Sequence, residues 1–392
     1  MRFGTLTLHA GFNEGAILQS LALHRAIGEL RPAAEVEIVD HRYPVLMARA
    51  YGPADDDRKK ALQAFYDNDL PLSPRRFYSK ARRPTFDYIQ SRYDALVVGS
   101  DEVWKIAFQH RLKGLLRLQT DPYAPAFPNV FWPGPSLHVR KIAYAATAGE
   151  KTDWLALPKR MRRRIAEALG DFDAIGVRDE RTRAFALWAD PALEKKITWT
   201  PDPTFIADLT GDVPADRLRA RLAGWGVDFQ RPRLLLIAGV HDAYAAAIAL
   251  LRQQGYQIVS VSDKNPYADV DLTGAPIGPL EWAGLARHFD LCLSERMHGS
   301  IFAVLNGCPL ICLDRRRPTL GFPTKNRALT EKLGLSHRYV SVVEPAGRVR
   351  LEAMCTNISA LPYDHVGIAR TLAALRAVGR SFLDEALPVR AP

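Results

Sequence analysis

The 392-residue sequence predicts an α/β protein with two Rossmann-like domains that face each other across a cleft. Three observations favour this fold class. Short apolar runs alternate with amphipathic segments, which is typical of a parallel sheet covered by helices. The alternation occurs twice, on either side of residues 208–233, which are rich in charge, Gly and Pro. The length also suits two hydrophobic cores, since a domain has roughly 150 residues.

The predicted N-terminal domain spans residues 1–207, and the predicted C-terminal domain spans residues 234–392. Residues 208–233 form the connection and include one short helix. Packing of the last helix against the N-terminal domain is left open. Ligands of such sheets bind beyond the carboxyl ends of the strands, so functional residues are expected in the loops that follow strands.

Apolar runs predict the strands, and the segments between them predict the helices. The strands predicted in the first half are Phe3–Leu8, Val36–Asp40, Ala95–Gly99, Ile142–Thr147, Ala174–Arg178 and Ile197–Thr200. The helices predicted there are Glu14–Leu30, Arg58–Asp67, Pro158–Leu169 and Arg181–Trp188. The second half has predicted strands at Leu234–Val240, Ile258–Ser262, Leu291–Ser294 and Leu310–Asp314, and predicted helices up to Gln254, around Glu281–His288 and from His298 to Asn306.

Composition narrows the class of protein and its partners. With 47% hydrophobic and 24% charged residues, the chain is neither disordered nor collagen-like. Its 53 Lys and Arg exceed its 43 Asp and Glu, and the net charge of +10 favours anionic partners. The N-terminus lacks the apolar core of a signal peptide, and no segment approaches the roughly 18 apolar residues of a membrane span. We therefore expect a cytoplasmic protein, soluble or peripheral at the inner face of a membrane.

Cysteine usage points to core packing. Cys292, Cys308, Cys312 and Cys355 all lie in the second half, three of them in apolar runs. Reduced core thiols are the favoured interpretation. A zinc site would need clustered ligands at short loop spacings, so no metal is predicted.

The sharpest local feature is the segment Ser294–Ser300, between an apolar strand and an apolar helix. Arg296 and His298 stand beside the predicted helix N-terminus, whose free N–H groups and dipole attract anions. Gly299 removes a side chain where a ligand approaches the backbone. A phosphate or carboxylate would suit this site. An equally good interpretation pairs Arg296 with Glu295 or another carboxylate and makes His298 a helix cap.

Polar residues also follow strands in the first half. Ser100 and Asp101 come after the run that ends at Gly99, and they can hydrogen-bond a hydroxylated ligand, with Asp101 as a base. An N-cap role for this pair is equally good. The loop with Asn13 and Gly15 matches neither G-x-G-x-x-G nor GK[ST], so it is a weak nucleotide signal. The remaining strand-end groups include Arg178 and Asp202.

Three basic runs stand out, at Arg75–Arg83, Lys159–Arg164 and Arg315–Arg317. Such runs are usually solvated faces. The middle run follows Trp154 and Leu155, so contact with a membrane surface is one interpretation. Nucleic acid is not expected as a partner, because no helix-turn-helix, zinc-finger or RNP pattern accompanies the charge.

Six segments, in the same order along the chain, resemble motifs of the polysaccharide pyruvyl transferase family. They are Asn13–Leu23 (N-x-G-A-x-L-Q-x-x-A-L), Val98–Trp104 (V-G-S-D-Q-V-W), Ile142–Gly149 (S-Y-A-A-S-F-G), Val177–Glu180 (V-R-E), Ser294–Ser300 with Cys308 and Pro309 (S-x-R-x-H-G-x and G-x-P), and Lys325 with Arg327 (K-x-R). The sequence departs from the family at Glu102, where the family has Gln, at Lys105, where it usually has Asn, and over residues 122–138.

The resemblance implies a transferase of polysaccharide biosynthesis with a fold similar to the GT-B glycosyltransferase architecture. Such an enzyme moves the pyruvyl group of phosphoenolpyruvate, as a ketal or enolpyruvyl group, onto sugar hydroxyls of a polysaccharide or its lipid-linked precursor, and releases phosphate. Phosphoenolpyruvate is then a co-substrate, and no cofactor is needed.

The site residues implied by the resemblance have three roles. His298 is the acid or a donor to the phosphate, and Asp101 is the base. The residues expected to bind the anionic donor are Arg296, Lys325, Arg178, Gly299 and Ser300. The residues expected at the acceptor or in the cleft are Asn13, Gly15, Ser100, Trp104 and Asp202.

Two other functions remain open. A glycosyltransferase that uses a nucleotide sugar would share the architecture, and Glu281 and Trp282 are the residues available for its base-and-ribose site. A non-catalytic glycan- or lipid-binding relative is the third. Retention of Arg296, His298 and Lys325 together disfavours that third function.

Overall fold

The computed structural model describes residues 1–51, 56–106, 108–110, 117–119 and 125–389. The chain folds into two compact units. The first unit comprises Met1–Ala54, Ala64–Ala207 and Leu375–Pro392, and the second comprises Asp55–Gln63 and Asp208–Ala374. Residues 208–233 therefore belong to the second unit. Residues 122–124, at the start of the divergent segment noted in the sequence, lie outside the described residues.

A six-stranded parallel sheet forms the centre of the first unit. In sheet order its strands are β10 (Ile197–Trp199), β9 (Ala174–Val177), β8 (Arg140–Ala146), β5 (Ala95–Val98), β1 (Arg2–Leu6) and β2 (Glu35–Ile38). Every residue of β5 is buried, as expected for a central strand with helices on both faces.

Six α-helices and two short pairs of strands precede residue 190 outside this sheet in the described part of the chain. The helices are α1 (Glu14–Leu30), α2 (Pro44–Tyr51), α3 (Asp57–Asn68), α4 (Arg83–Arg92), α5 (Lys159–Gly170) and α6 (Glu180–Ala189). Two short pairs of strands are β3 (His41–Arg42) with β4 (Phe77–Tyr78), which are parallel, and β6 (Phe108–His110) with β7 (Arg117–Gln119), which are antiparallel.

The second unit has a six-stranded parallel sheet of its own. In sheet order its strands are β13 (Val270–Asp271), β12 (Gln257–Ser260), β11 (Arg233–Ile237), β14 (Leu291–Ser294), β15 (Leu310–Asp314) and β16 (Tyr339–Ser341). The helices that follow residue 208 are α7 (Ala215–Gly224), α8 (Asp242–Gln253), α9 (Pro279–Gly284), α10 (Met297–Leu305), α11 (Lys325–Lys332), α12 (Gly347–Thr356) and α13 (His365–Ala386). One face of the sheet is covered by α8 and α12, through buried residues such as Ala247, Leu251, Leu351 and Met354.

Both sheets have a point at which the strand order reverses. In the first sheet β2 lies on one side of β1 and β5 on the other. In the second sheet β12 lies on one side of β11 and β14 on the other. A crevice opens beyond the carboxyl ends of the two strands at such a point, and it is the usual ligand site of open α/β sheets. Functional side chains are therefore expected after β1 and β5, and after β11 and β14.

Two segments belong to a unit other than that of their sequence neighbours. Residues 55–63 belong to the second unit, where the buried Arg58 donates hydrogen bonds to the carbonyls of Val261 and, at 3.3 Å, Thr273. Residues 375–392 belong to the first unit, where the C-terminal part of α13 pairs with α1 and its C-cap. The ion pairs there are Arg31 with Asp384 at 2.5 Å and Arg380 with Glu29 at 2.6 Å.

No helix among the described residues is long and apolar enough to cross a membrane.

Candidate active site

Arg178 organises the carboxyl edge of the first sheet. It follows β9, and its Nη1 donates a hydrogen bond of 2.8 Å to Asp202 Oδ2, while its Nη2 lies 3.7 Å from Asp101 Oδ1. Burial alone would lower the pKa of Arg178, but the charges of Asp202, Asp101 and Asp179 outweigh it and raise that pKa. The guanidinium is therefore a fixed cation held between carboxylates.

Asp202 is committed to this arrangement. Its side chain is almost fully buried, and Oδ1 accepts hydrogen bonds from the Thr204 amide and hydroxyl at 3.1 and 2.8 Å. Because Oδ2 is taken by Arg178, the carboxylate serves to orient that guanidinium. Asp101 is different, since the ion pair with Arg178 is long and 15% of its side chain is exposed.

The backbone before Asp101 is fixed by a buried polar network. Ser100 is fully buried, and its hydroxyl donates to Gln19 Oε1 at 2.6 Å while its amide donates to the same oxygen at 3.2 Å. The Gln19 amide donates in turn to Thr7 Oγ1, and the Thr7 hydroxyl donates to the Ser100 carbonyl. This network joins the ends of β1 and β5, the reversal point of the first sheet.

Gly99 and Asp101 adopt unusual backbone conformations on either side of Ser100. Gly99 has φ of +119°, and a Cβ there would lie 2.2 Å from the Tyr144 carbonyl oxygen, so only glycine fits. Asp101 has φ of +71°, and its carbonyl accepts the Thr147 amide at 3.0 Å. Non-glycine residues held at positive φ often mark functional sites, because the surrounding structure must stabilise the strain.

The other residues expected at the acceptor lie in varied surroundings. Trp104 is fully buried, with its ring 5.7 Å from those of Trp132 and Phe172, so its ring is a core side chain in this structure. Asn13 is the exposed N-cap of α1 and makes no side-chain capping bond, whereas Gly15 is buried in the first turn. Asn13 is thus the more accessible of these residues.

At the carboxyl edge of the second sheet, Arg296 is the N-cap of α10 and is 40% exposed. Its Nη2 lies 3.1 and 3.3 Å from the two carboxylate oxygens of Asp263, which is also 40% exposed. Solvent-exposed ion pairs of this kind contribute roughly 0–1 kcal/mol, so a bound anion can compete for the guanidinium. The partner carboxylate is Asp263, in the loop after β12, and not the neighbouring Glu295.

Glu295 instead anchors the chain between β14 and α10. Its carboxylate accepts hydrogen bonds from the Gly239 amide at 3.1 Å and the Tyr244 hydroxyl at 3.2 Å, and it pairs with Arg315. Burial and the charge of Glu295 raise the pKa of Tyr244. Because Gly239 follows β11, these bonds fix the two loops at the reversal point of the second sheet.

The N-termini of α10 and α11 lie side by side. Asn326, in the first turn of α11, is fully buried and donates to the carbonyls of Glu295 at 2.9 Å and Leu313 at 3.0 Å. Thr324 caps α11 through its side chain, and Lys325 is the first residue of that helix, half-buried. The N-termini of α10 and α11, where Arg296 and Lys325 stand in the sequence, are therefore adjacent, an arrangement that favours an anion.

His298, Gly299 and Ser300, near the start of α10, lie in different surroundings. His298 is half-buried in the first turn. A Cβ on Gly299 would lie 2.6 Å from Ser294 Oγ and 3.0 Å from Ile237 Cγ2, so this glycine lets the helix pack closely on the sheet. Ser300 is fully buried, with its hydroxyl 3.5 Å from Cys312 Sγ.

Comparison with known proteins gives the chain its family. A model of the polysaccharide pyruvyl transferase family matches residues 13–317. The chain belongs to this family. The match includes Asp101, Arg178, Arg296 and His298, and Lys325 lies beyond its end. As a member, the protein is a transferase enzyme, and the predicted family and enzyme class are confirmed.

Solved structures confirm the predicted fold class. The UDP-GlcNAc 2-epimerase from Neisseria meningitidis bound to UDP-GlcNAc superposes with a TM-score of 0.56 at 11% identity, covering 98% of this chain and 99% of that one. The UDP-GlcNAc 2-epimerase from Methanocaldococcus jannaschii gives 0.53 at 12% identity, covering 95% and 100%. At such low identity the likeness concerns the GT-B-type α/β fold alone. A search of curated proteins found no match.

Several residues of the transferase's candidate site were not predicted from the sequence. Asp263 and Asn326 have partners that lie far along the chain, and Thr324 is the N-cap of α11. A signal was available for Asp263, because it closely follows the predicted strand Ile258–Ser262, where ligand-side groups are expected.

A second buried polar cluster of the first unit follows β1 and β2. His9 Nε2 lies 3.1 Å from Asp40 Oδ1, and Arg42 donates to both oxygens of Asp40 at 2.6 and 2.9 Å. Arg76 and Asp67 extend the cluster, with Arg76 Nε donating to Asp40 Oδ2 at 3.0 Å. Burial would raise the pKa of Asp40, but hydrogen bonds from His9 and Arg42 hold it well below its usual value. His9 is fully buried and out of reach of a ligand, so we interpret the cluster as one that stabilises the loops after β1 and β2.

The four cysteines are buried free thiols. Burial raises the pKa of Cys312 to about 12, which makes it unreactive. Among the described residues, no group of three or more His, Cys, Asp or Glu side chains could hold a metal ion.

Proposed function

We propose that this family member transfers the pyruvyl group of phosphoenolpyruvate to hydroxyls of a polysaccharide or its lipid-linked precursor and releases phosphate. The observation that carries the proposal is the adjacency of the N-termini of α10 and α11, at which the cations Arg296 and Lys325 stand. Phosphoenolpyruvate has a phosphate and a carboxylate close together, so it needs several cations and N–H donors in one place.

The reaction requires an acid and a base. The methylene carbon of phosphoenolpyruvate gains a proton. C2 of phosphoenolpyruvate forms a bond to the oxygen of a sugar hydroxyl, and that hydroxyl loses its proton. The bond from C2 to the phosphate oxygen breaks, and phosphate leaves with the electron pair. Attack by a second hydroxyl then gives a ketal, whereas loss of a methyl proton gives an enolpyruvyl ether.

We assign His298 to the proton that the methylene gains, or to a hydrogen bond on the phosphate. Its place in the first turn of α10, beside Arg296, suits either role. Asp101 is the proposed base, because it is the partly exposed carboxylate of the first sheet's edge. We further propose that Arg178, which the sequence indicated as a donor ligand, positions Asp101 through the ion pair of 3.7 Å between them.

The alternative of a nucleotide-sugar glycosyltransferase finds less support in the second unit. Trp282 is only 4% exposed, so its ring offers no open surface for stacking a base. Glu281 pairs with Arg221 and accepts the Gly278 amide at 3.0 Å, so its oxygens already have partners.

Thermal denaturation with ligands tests the donor without knowledge of the acceptor, because a ligand stabilises the state that binds it. We expect phosphoenolpyruvate to raise the Tm and UDP-N-acetylglucosamine to leave it unchanged. Arg296→Ala and Lys325→Ala should remove the shift, and Lys332→Ala, at the opposite end of α11, should keep it. A shift with the nucleotide sugar alone would overturn the proposal.

A further inference from the structure

Two of the basic runs, far apart in sequence, lie together on the first unit. Arg82 Nη1 donates to the Trp132 carbonyl at 3.4 Å. The Trp132 ring is 5.0 Å from that of Phe127, and the Arg164 guanidinium lies 5.6 Å from the Phe127 centroid. Burial, together with the charge of Arg164, lowers the pKa of Arg82, so the two cations are close enough to repel. We call the basic patch the residues Arg82, Arg83, Lys159, Arg160, Arg163 and Arg164.

Helix α5 carries four of the six residues of the basic patch, and the cations in its first turn disfavour the helix. Its first turn holds cations and no acidic residue, and its N-cap, Pro158, provides no side-chain bond. Cations at a helix N-terminus are unfavourable, because the dipole there is positive. Natural sequences break such local rules mainly at functional sites. Contact with an anionic partner would offset this unfavourable charge.

The cations of the basic patch are exposed, except for Arg82, which is half-buried. Helix α5 buries Ile165, Ala168 and Leu169 against the protein, which leaves its basic residues on the outer side. Carboxylates next to the basic patch neutralise little of its charge. The pairs Arg163 with Glu167 and Arg83 with Asp87 are both 3.9 Å long and highly exposed, and such pairs are weak.

Exposed side chains with apolar surface precede both halves of the patch in the sequence. Leu155 is 66% exposed and lies four residues before Lys159, and Tyr78 is 57% exposed and lies four residues before Arg82. Two of the larger rings nearby are covered, since Trp132 is 1% exposed and Trp154 is 4% exposed. Trp188 is half-buried and lies 5.3 Å from the guanidinium of Arg162. Few rings are therefore open for the stacking of nucleic-acid bases, whereas Leu155 and Tyr78 suit the headgroup region of a bilayer.

We propose that the basic patch docks the first unit on an anionic lipid bilayer, with Leu155 and Tyr78 at the level of the headgroups. Each Lys or Arg near such a surface strengthens binding about fivefold. Because the patch contains none of the residues assigned to the reaction, docking and catalysis can be tested separately.

The test is co-sedimentation of the full chain with vesicles of phosphatidylcholine, with and without 30 mol% phosphatidylserine, at about 0.05 and 0.5 M NaCl. We expect binding only to the anionic vesicles and loss of binding at the higher salt concentration. The double variant Lys159→Glu with Arg160→Glu should bind at least about 25-fold more weakly, since two cations are lost. Acidic residues favour a helix N-terminus, so this variant is expected to fold at least as well as the parent.

A matched control is Arg217→Glu with Arg370→Glu, which changes the net charge equally at exposed positions of the second unit. It should bind vesicles within about twofold of the parent. Equal losses in both double variants would show a net-charge effect alone and overturn the proposal. So would failure to bind anionic vesicles at the lower salt concentration, or tighter binding to a single-stranded DNA 20-mer than to vesicles.

Discussion

The carboxyl edges of the two sheets use charge in opposite ways. At the first edge, Arg178 lies between Asp202 and Asp101, and the protein itself neutralises the buried guanidinium. At the second edge, Arg296 has one exposed carboxylate partner, Asp263, and adjoins two helix N-termini. We therefore propose that the first edge positions a carboxylate, whereas the second leaves positive potential for a ligand.

The largest expected effect concerns the second edge. His298→Ala should lower kcat about 10³-fold, because general acid catalysis contributes typically 10²–10⁴-fold. Phosphate release from phosphoenolpyruvate, measured with a panel of sugar acceptors, checks this. His337→Ala, which removes an exposed histidine outside the site, is the control and should keep full activity. Parent-like turnover in His298→Ala would refute the assignment.

Replacement of the glycine at the first edge should lower the free energy of unfolding more than replacement of the glycine at the second edge. Gly99→Ala should lower the free energy of unfolding by at least about 3 kcal/mol, because a Cβ at φ of +119° meets the Tyr144 carbonyl. Gly299→Ala should cost about 1–3 kcal/mol through crowding of Ser294 and Ile237. Urea denaturation measures both.

Gly28→Ala is the control for these substitutions, since a Cβ at this position of α1 meets nothing within 4 Å. It should be neutral or stabilise the helix. Loss of stability in Gly28→Ala as large as in Gly99→Ala would contradict the packing explanation.

The two carboxylates of the edges should separate catalysis from binding. Asp101→Asn should lower kcat about 100-fold while the Kd for phosphoenolpyruvate changes little, because the base acts only on the acceptor hydroxyl. Asp263→Asn should leave kcat unchanged and tighten donor binding about threefold, because Arg296 is freed from its partner. Calorimetry and turnover assays check both. A pure binding defect in Asp101→Asn would make Asp101 a residue that orients ligand.

The smallest effect is on the pH dependence of folding stability, to which one buried histidine of each unit contributes. Burial lowers the pKa of His41 in the first unit to about 4. Burial and the charges of neighbouring arginines do the same for His288 in the second unit. The unfolded chain binds protons near pH 6.5 and the folded chain only near 4, so stability falls as pH drops through this window. Between pH 6.5 and 5, each histidine accounts for about 2 kcal/mol.

Replacement of either histidine should flatten this dependence. Urea denaturation of His41→Gln and His288→Gln at pH 7 and pH 5 measures the change. Each variant should lose less stability than the parent on acidification. An unchanged loss in both variants would show that other groups cause the acid sensitivity.

Most of the sheet framework could be predicted from the sequence, because buried parallel strands are short apolar runs. Helix α1 has the predicted bounds, Glu14–Leu30. In the first half, every predicted strand continues one or two residues past its observed end, as β1 does when it ends at Leu6 instead of Leu8. The extra residues lie past the end of the strand ladder, a change that the apolar pattern does not reveal.

Side-chain direction within a motif was harder to predict. Ser100, Asp101 and Trp104 belong to one motif-like segment, Val98–Trp104, yet of these three only Asp101 is partly exposed. The positive φ of Asp101 redirects the chain there, and a single sequence does not specify it. The pairing of Arg296 with Asp263 depends in the same way on the tertiary structure.

The C-terminal part of α13 has a consequence for how the protein is made. Residues 375–387 supply Asp384 to Arg31, Arg380 to Glu29, and the Ala386 carbonyl that Arg140 Nε reaches at 2.9 Å. Translation proceeds from the N-terminus, and domains generally begin to fold as they emerge. Here the N-terminal unit lacks a covering helix until the ribosome has synthesised more than 370 residues. Its completion therefore follows synthesis of the second unit.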